Sequence, residues 1–168
     1  VSPAPIRKQK DGRYRIRIDD TARAVLSDLA RQLSPAIAAH DPMTTRLFPP
    51  AYPDPELADI EHEYRGLVET ALVTHHQRAL ETLATTATAD TLSEEEVHDW
   101  LSAIESMRLV LGTRLDVTED MTTPPPDDPG AAEHALYEYL GGLQYLLVET
   151  LADDLPDEGR TGRPFDPL

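Results

Sequence analysis

The chain has 168 residues, 40% of them hydrophobic but only 5% aromatic, and a formal net charge of −16. That length suits one domain with an aliphatic core, and no apolar run approaches the roughly 18 residues that signal a membrane-spanning helix. No apolar signal-type stretch follows Val1-Ser2-Pro3-Ala4-Pro5, so a cytoplasmic location is the expectation, and the absence of cysteine excludes disulfides, thiolate nucleophiles and thiol redox switches.

In chain order, Asp11-Gly12 predicts a hairpin with a two-residue type I′ turn, whose central positions need positive φ. Beyond it Tyr14, Ile16 and Ile18 alternate with Arg13, Arg15 and Arg17. Period two turns the first set toward the body and the arginines away from it. Residues 1–12 are an N-terminal arm or the first hairpin strand. Asp19 or Asp20 caps a helix whose buried stripe is Ala22, Val25, Leu26, Leu29 and Leu33. Pro35 predicts a break or restart, with a further turn through Ile37 to His40. Asp41-Pro42 opens a short helix that ends at Leu47. The prolines of Phe48-Pro49-Pro50-Ala51-Tyr52-Pro53 forbid helix and central strand, and the two aromatics are expected to pin this loop to the core.

Asp54-Pro55-Glu56 starts the next helix. Its apolar face is Leu57, Ile60, Tyr64, Leu67, Val68, Ala71 and Leu72, continued by Ala79, Leu80 and Leu83 to about Ala87. Such length predicts a bend near Val73 to His76. Ser93-Glu94-Glu95-Glu96 reads as a capping box, and Val97, Trp100, Leu101, Ile104, Arg108 and Leu111 form the stripe of the helix it opens. Gly112 in the last turn marks the close approach of another backbone. Residues 116–130 read as an exposed acidic loop. The last helix, residues 131–152, has an apolar face wide enough for two neighbours or for another subunit, which leaves room for a homodimer. Residues 153–168 read as a disordered tail. The expected fold is mostly α: a five- or six-helix, orthogonal or bundle-like single domain over residues 13–152, with a short N-terminal β-hairpin or strand.

Catalytic and metal signatures are weak. His75 and His76 are adjacent and point about 100° apart on a helix, so they cannot share one ion. Glu95 with His98, and Asp59 with His62, have the spacing of carboxylate-bridged metal bundles but lack the inward acids such sites need. The serines sit at caps or inside helices, and the glycines form no phosphate loop. No cofactor, metal or enzyme activity is expected.

Charge is uneven. Arg7, Lys8, Lys10, Arg13, Arg15 and Arg17 against Asp11 give residues 1–18 a net +5 and leave −21 on the rest. An acidic body repels the phosphate backbone, so autonomous DNA binding is not expected, and a basic protein surface is the better-matched partner. Two groups are interaction candidates. Arg13, Arg15 and Arg17 present a cationic strand edge or face, which could equally serve as edge protection. Arg108, Gly112, Thr113 and Arg114 could grip an anion, against the plainer reading of a buried arginine and a helix-end arginine in structural roles.

The block Arg108-Leu109-Val110-Leu111-Gly112-Thr113-Arg114-Leu115-Asp116-Val117-Thr118-Glu119-Asp120 resembles the signature of an actinobacterial family of small helical proteins that includes the oxidative-stress transcriptional regulator AosR. Arg46-Leu47-Phe48-Pro49-Pro50-Ala51-Tyr52, the opening Asp11-Gly12-Arg13-Tyr14-Arg15-Ile16-Arg17, and Leu136, Leu140, Gly141 and Leu143 in the last helix carry the same resemblance. It implies a non-enzymatic regulator acting through protein contacts with a sigma factor or RNA polymerase. Members encoded near the Clp protease adaptor imply the alternative of an accessory or scaffold in that system. Without cysteine, oxidant sensing by thiols is closed to this chain; Met43, Met107 and Met121 are its remaining oxidisable side chains.

Overall fold

The computed structural model describes residues 5–118 and 122–153. Strands β1 (Ile6–Lys8) and β2 (Tyr14–Ile16) form an antiparallel hairpin, followed by α1 (Asp20–Ala38), a 3-10 turn (Pro42–Leu47) and a second one (Pro55–Leu57). Then come α2 (Ala58–Thr86), β3 (Thr91–Leu92), α3 (Glu94–Arg114) and α4 (Ala131–Ala152). The tail expected at 153–168 lies outside the described residues from 154 onward, and so do residues 119–121 of the expected loop.

Tyr14, Ile16 and Ile6 are buried, and Arg13, Arg15 and Arg17 are exposed, as the alternation requires. The hairpin turn differs from expectation. Gly12 has φ +82, whereas Asp11 is not among the residues with positive φ. The Gly12 N–H donates to Gln9 O at 3.1 Å, and Gln9 N–H to Arg13 O at 2.7 Å. This is a three-residue loop whose last position needs glycine. A third strand was invisible in the sequence. β3 pairs with β2, Tyr14 opposite Leu92 and Arg15 opposite Thr91, which makes β2 central, in the order β1-β2-β3.

Successive helices run antiparallel. Ser27 bonds Ala84 O while Gln77 bonds Ser34 O, which fixes α1 against α2. Thr86 holds Trp100 while His76 meets Ser106, which fixes α2 against α3. Arg108 reaches Gln144 while Arg114 reaches Glu133, which fixes α3 against α4. The core they enclose is largely aliphatic around Trp100 and Tyr14: with these two rings, Leu26, Ile37, Leu80, Leu83, Leu92, Ile104, Met107, Leu140 and Leu147 are all fully buried.

Asp19 caps α1 through the Ala22 N–H at 2.8 Å, and the Ser93–Glu96 box forms with both bonds in place. α1 passes through Pro35 without breaking. It ends one turn later, where His40 at φ 51 closes the last carbonyls and Asp41 N–H reaches Ala36 O at 3.0 Å. Val25 is 40% exposed, while Arg23 is buried. The α1 stripe is therefore rotated from the one expected. Arg23 donates to Ile18 O, to Ala87 O and Ala89 O, and to Ile16 O, at 2.7 to 3.2 Å. Four carbonyls at the end of the hairpin and the α2–β3 connection are satisfied by one guanidinium, a role planar Arg suits and Lys does not.

α2 is unbroken: its 29 residues are one helix, with neither proline nor glycine near Val73 to His76 to interrupt it. At about 1.5 Å per residue it is ~43 Å long, longer than α1 with 19 residues or α3 with 21. His40 at the end of α1 meets Glu69, and His76 already faces Ser106 near the last turns of α3. The first turns of α2 consequently extend past both neighbours.

Candidate interaction surface

The arginines of the hairpin do not act as one group. Arg13 folds back onto β3, its Nε donating to Thr91 Oγ1 and its Nη2 to Thr91 O, both at 3.1 Å, with Glu96 at 3.9 Å. It fastens the hairpin to the start of α3. Arg15 and Arg17 stay exposed, and Arg15 lies opposite Arg7 in the register. Since β2 is the middle strand, this is a cationic sheet face and not a strand edge.

The second predicted group is brought together, as a clamp between α3 and α4. Arg108 lies over the Tyr137 ring, 5.0 Å from its centroid. Its Nη1 donates to Gln144 Oε1 at 2.7 Å and its Nη2 to Tyr137 Oη at 3.4 Å. Gly141 makes room for it: a Cβ there would sit 3.4 Å from Arg108 Nε. Gly112 does the same for Tyr137 Cε2 at 3.3 Å and Arg46 Nη1 at 3.6 Å. Gly112 thus admits side chains, where the sequence suggested a backbone. Thr113 Oγ1 bonds Leu109 O inside the helix, and Arg114 pairs with Glu133 at 2.8 Å. Val117 N–H closes the helix end onto Gly112 O at 3.0 Å. Three of these four residues hold α3 to α4 or shape the contact, and the polar partner of Arg108 is an amide and a phenol instead of a carboxylate.

What the sequence did not disclose is where α2 has no cover. Leu57, Ile60, Tyr64, Leu67 and Ala71 recur in alternating steps of three and four, the spacing of a helix–helix seam. Yet Leu67 is 82% exposed, Ile60 48% and Tyr64 41%, while on the same helix Ala79, Leu80 and Leu83 are buried. The periodicity could be read; the overhang that leaves this stretch bare could not.

The Phe48–Pro53 segment lines one side of the stripe. Phe48 is buried and packs edge-on against His76, 5.7 Å between centroids. Tyr52 is 39% exposed and stacks edge-on on Tyr64 at 5.8 Å, so only the first aromatic pins the loop into the core. Glu61 accepts from the Tyr52 N–H at 2.8 Å and from Arg65 at 3.1 Å. The Tyr52 N–H, aided by Arg65, holds its carboxyl below the usual range. A solvent-open cleft between this loop and α2 is walled by Phe48, Tyr64, Val68 and Leu72.

On the other side stand Glu56 and Glu63, with Asp59 behind them. All three are exposed, and none forms an ion pair among the described residues. Tyr145 at 61% and Val148 at 48% are further exposed apolar side chains on α4. That helix buries Leu140, Leu143 and Leu147 and packs on α3 and β1. Among the described residues no three His, Asp or Glu side chains gather in a metal-holding group, and no helix is long and apolar enough to cross a membrane.

No curated protein and no solved structure matches the chain. Residues 3–151 match the model of a domain family, Domain of unknown function (DUF2017), from before β1 to the last turn of α4, and the chain belongs to that family.

Proposed function

We propose that this protein is a non-enzymatic regulator that works by docking onto a protein of the transcription machinery, a sigma factor or RNA polymerase. Its resemblance to an oxidative-stress transcriptional regulator supplies the setting. The observation that carries the docking itself is the uncovered apolar stripe of α2, since exposed contiguous apolar surface rimmed by polar groups marks interaction sites. The acidic body supports a protein partner over duplex DNA. No thiol is present in this chain, so any thiol-based sensing of oxidants falls to the partner.

The test is affinity capture with the full chain and its Leu67→Glu variant, followed by mass spectrometry and by binding to the purified candidate. Sigma factor or polymerase subunits should be recovered with the wild type and lost with the variant. Recovery of Clp protease or adaptor components in their place would support the accessory role in proteolysis, and equal recovery by both chains would remove α2 from the interface. Tight binding of isolated promoter duplex at physiological salt would overturn the protein-docking reading.

A further inference from the structure

We infer that the overhanging stripe of α2 is a receptor for a basic amphipathic helix, one with an apolar face and Lys or Arg along a single edge. This deepens the docking reading above and rests on it. The stripe from Leu57 to Ala71 is about 21 Å long at 1.5 Å rise per residue, so a ligand helix of some four turns covers it. Leu67, 82% exposed, is its barest member, and a shallow cleft between Phe48, Tyr64 and Leu72 opens beside it. This is the helix-in-groove mode of recognition.

Charge selects the occupant. From Asp54 to Glu69 the chain has six carboxylates (Asp54, Glu56, Asp59, Glu61, Glu63 and Glu69) against Arg65 as its one arginine or lysine. On the loop side Glu61 and Glu69 are engaged by Arg65 and His40. On the opposite rim Glu56, Asp59 and Glu63 form no ion pair among the described residues, so a ligand that brings lysine or arginine to that edge meets unpaired surface carboxylates. A second copy of this chain fits poorly, because it would bring a second acidic rim to the seam of a protein with net charge −16. Residues 154–168 suffer the same defect, with Asp154, Asp157, Glu158 and Asp166 outnumbering Arg160 and Arg163.

The probe is a synthetic Leu/Lys amphipathic peptide of about 20 residues, ~30 Å as a helix, titrated into the full chain by calorimetry beside its Leu/Glu counterpart. The wild type should bind the Lys peptide and ignore the Glu peptide. Leu67→Glu should weaken binding by about tenfold or more, and the double variant Glu56→Lys, Glu63→Lys should reverse the preference. These side chains are exposed, so unchanged thermal melts are expected to accompany each effect. Equal binding by wild type and Leu67→Glu, or a double variant that still prefers the Lys peptide, would overturn the proposal. So would a wild-type dimer in sedimentation that Leu67→Glu turns into a monomer, which would make a second copy the occupant. If the peptide fails while Leu67→Glu still releases captured transcription components, the helix chemistry falls and the docking reading stands; loss of both effects removes both.

Discussion

The two halves of α2 are built from the same kind of residues and meet opposite fates. Leu80 and Leu83, in the second half, are shut between α1 and α3, and Leu67, four turns away from Leu83, stands in water. Helix propensity and periodicity do not distinguish them. What does is the length of the neighbours: α1 and α3 end before the first turns of α2 begin. Burial is thus a property of the assembly of helices, and an apolar stripe that outruns its neighbours becomes surface available to something else.

The largest expected effect lies where the covered half is locked. Arg23→Met should destabilise the fold by about 3–5 kcal/mol in denaturant titration, because four carbonyls would lose their donor in a closed setting. Arg23→Lys should recover little of that loss, since one ammonium cannot span the four acceptors. A small effect of Arg23→Met would mean that water replaces the guanidinium and that the covered half is less tightly closed than described. Next, one substitution can be made in both halves. Leu83→Ala should cost about 2–5 kcal/mol, and Leu67→Ala should fall within about 0.5 kcal/mol of wild type. Comparable losses would show that Leu67 is covered in solution.

A smaller effect marks the boundary between the halves. Burial, reinforced by the neighbouring His75, lowers the His76 pKa from its ordinary 6.5. Ser106 donates its proton to Ser102 O at 2.9 Å, and its oxygen lies 3.0 Å from His76 Nδ1. With the folded-state pKa depressed, the stability contributed by the neutral ring is intact above 6.5 and is lost as pH falls through the lowered value. Denaturation midpoints should therefore drop on acidification below 6.5, and His76→Gln should flatten that slope; an identical slope in the variant would assign the titration elsewhere.

Local chemistry was legible in the sequence and long-range cover was not. Asp19, Asp41-Pro42, Asp54-Pro55 and the Ser93–Glu96 box each act through residues a turn away, and each occurs where its pattern placed it. The two-residue β3 carries too little pattern to be read, yet it decides that β2 is central and that Arg13 is spent on Thr91. Arg23 lay outside the apolar stripe of α1, and two of its four acceptors, Ala87 O and Ala89 O, come from a segment more than 60 residues along the chain. At the candidate surface the apolar spacing and the acids were both visible. Their exposure depended on where α1 and α3 stop, which no local rule supplies.

The pairing of Arg13 with Thr91 spans 78 residues, and that separation orders events in time. As the chain is made, the hairpin emerges first, but its docking strand follows only after two long helices have left the ribosome. Until then Tyr14 has no Leu92 opposite it and the Ile16 N–H has no Asp90 carbonyl to meet. The small sheet is therefore a late seal on the fold, closed when Leu92 arrives, and the sluggish step in maturation is expected at this junction and not within any helix.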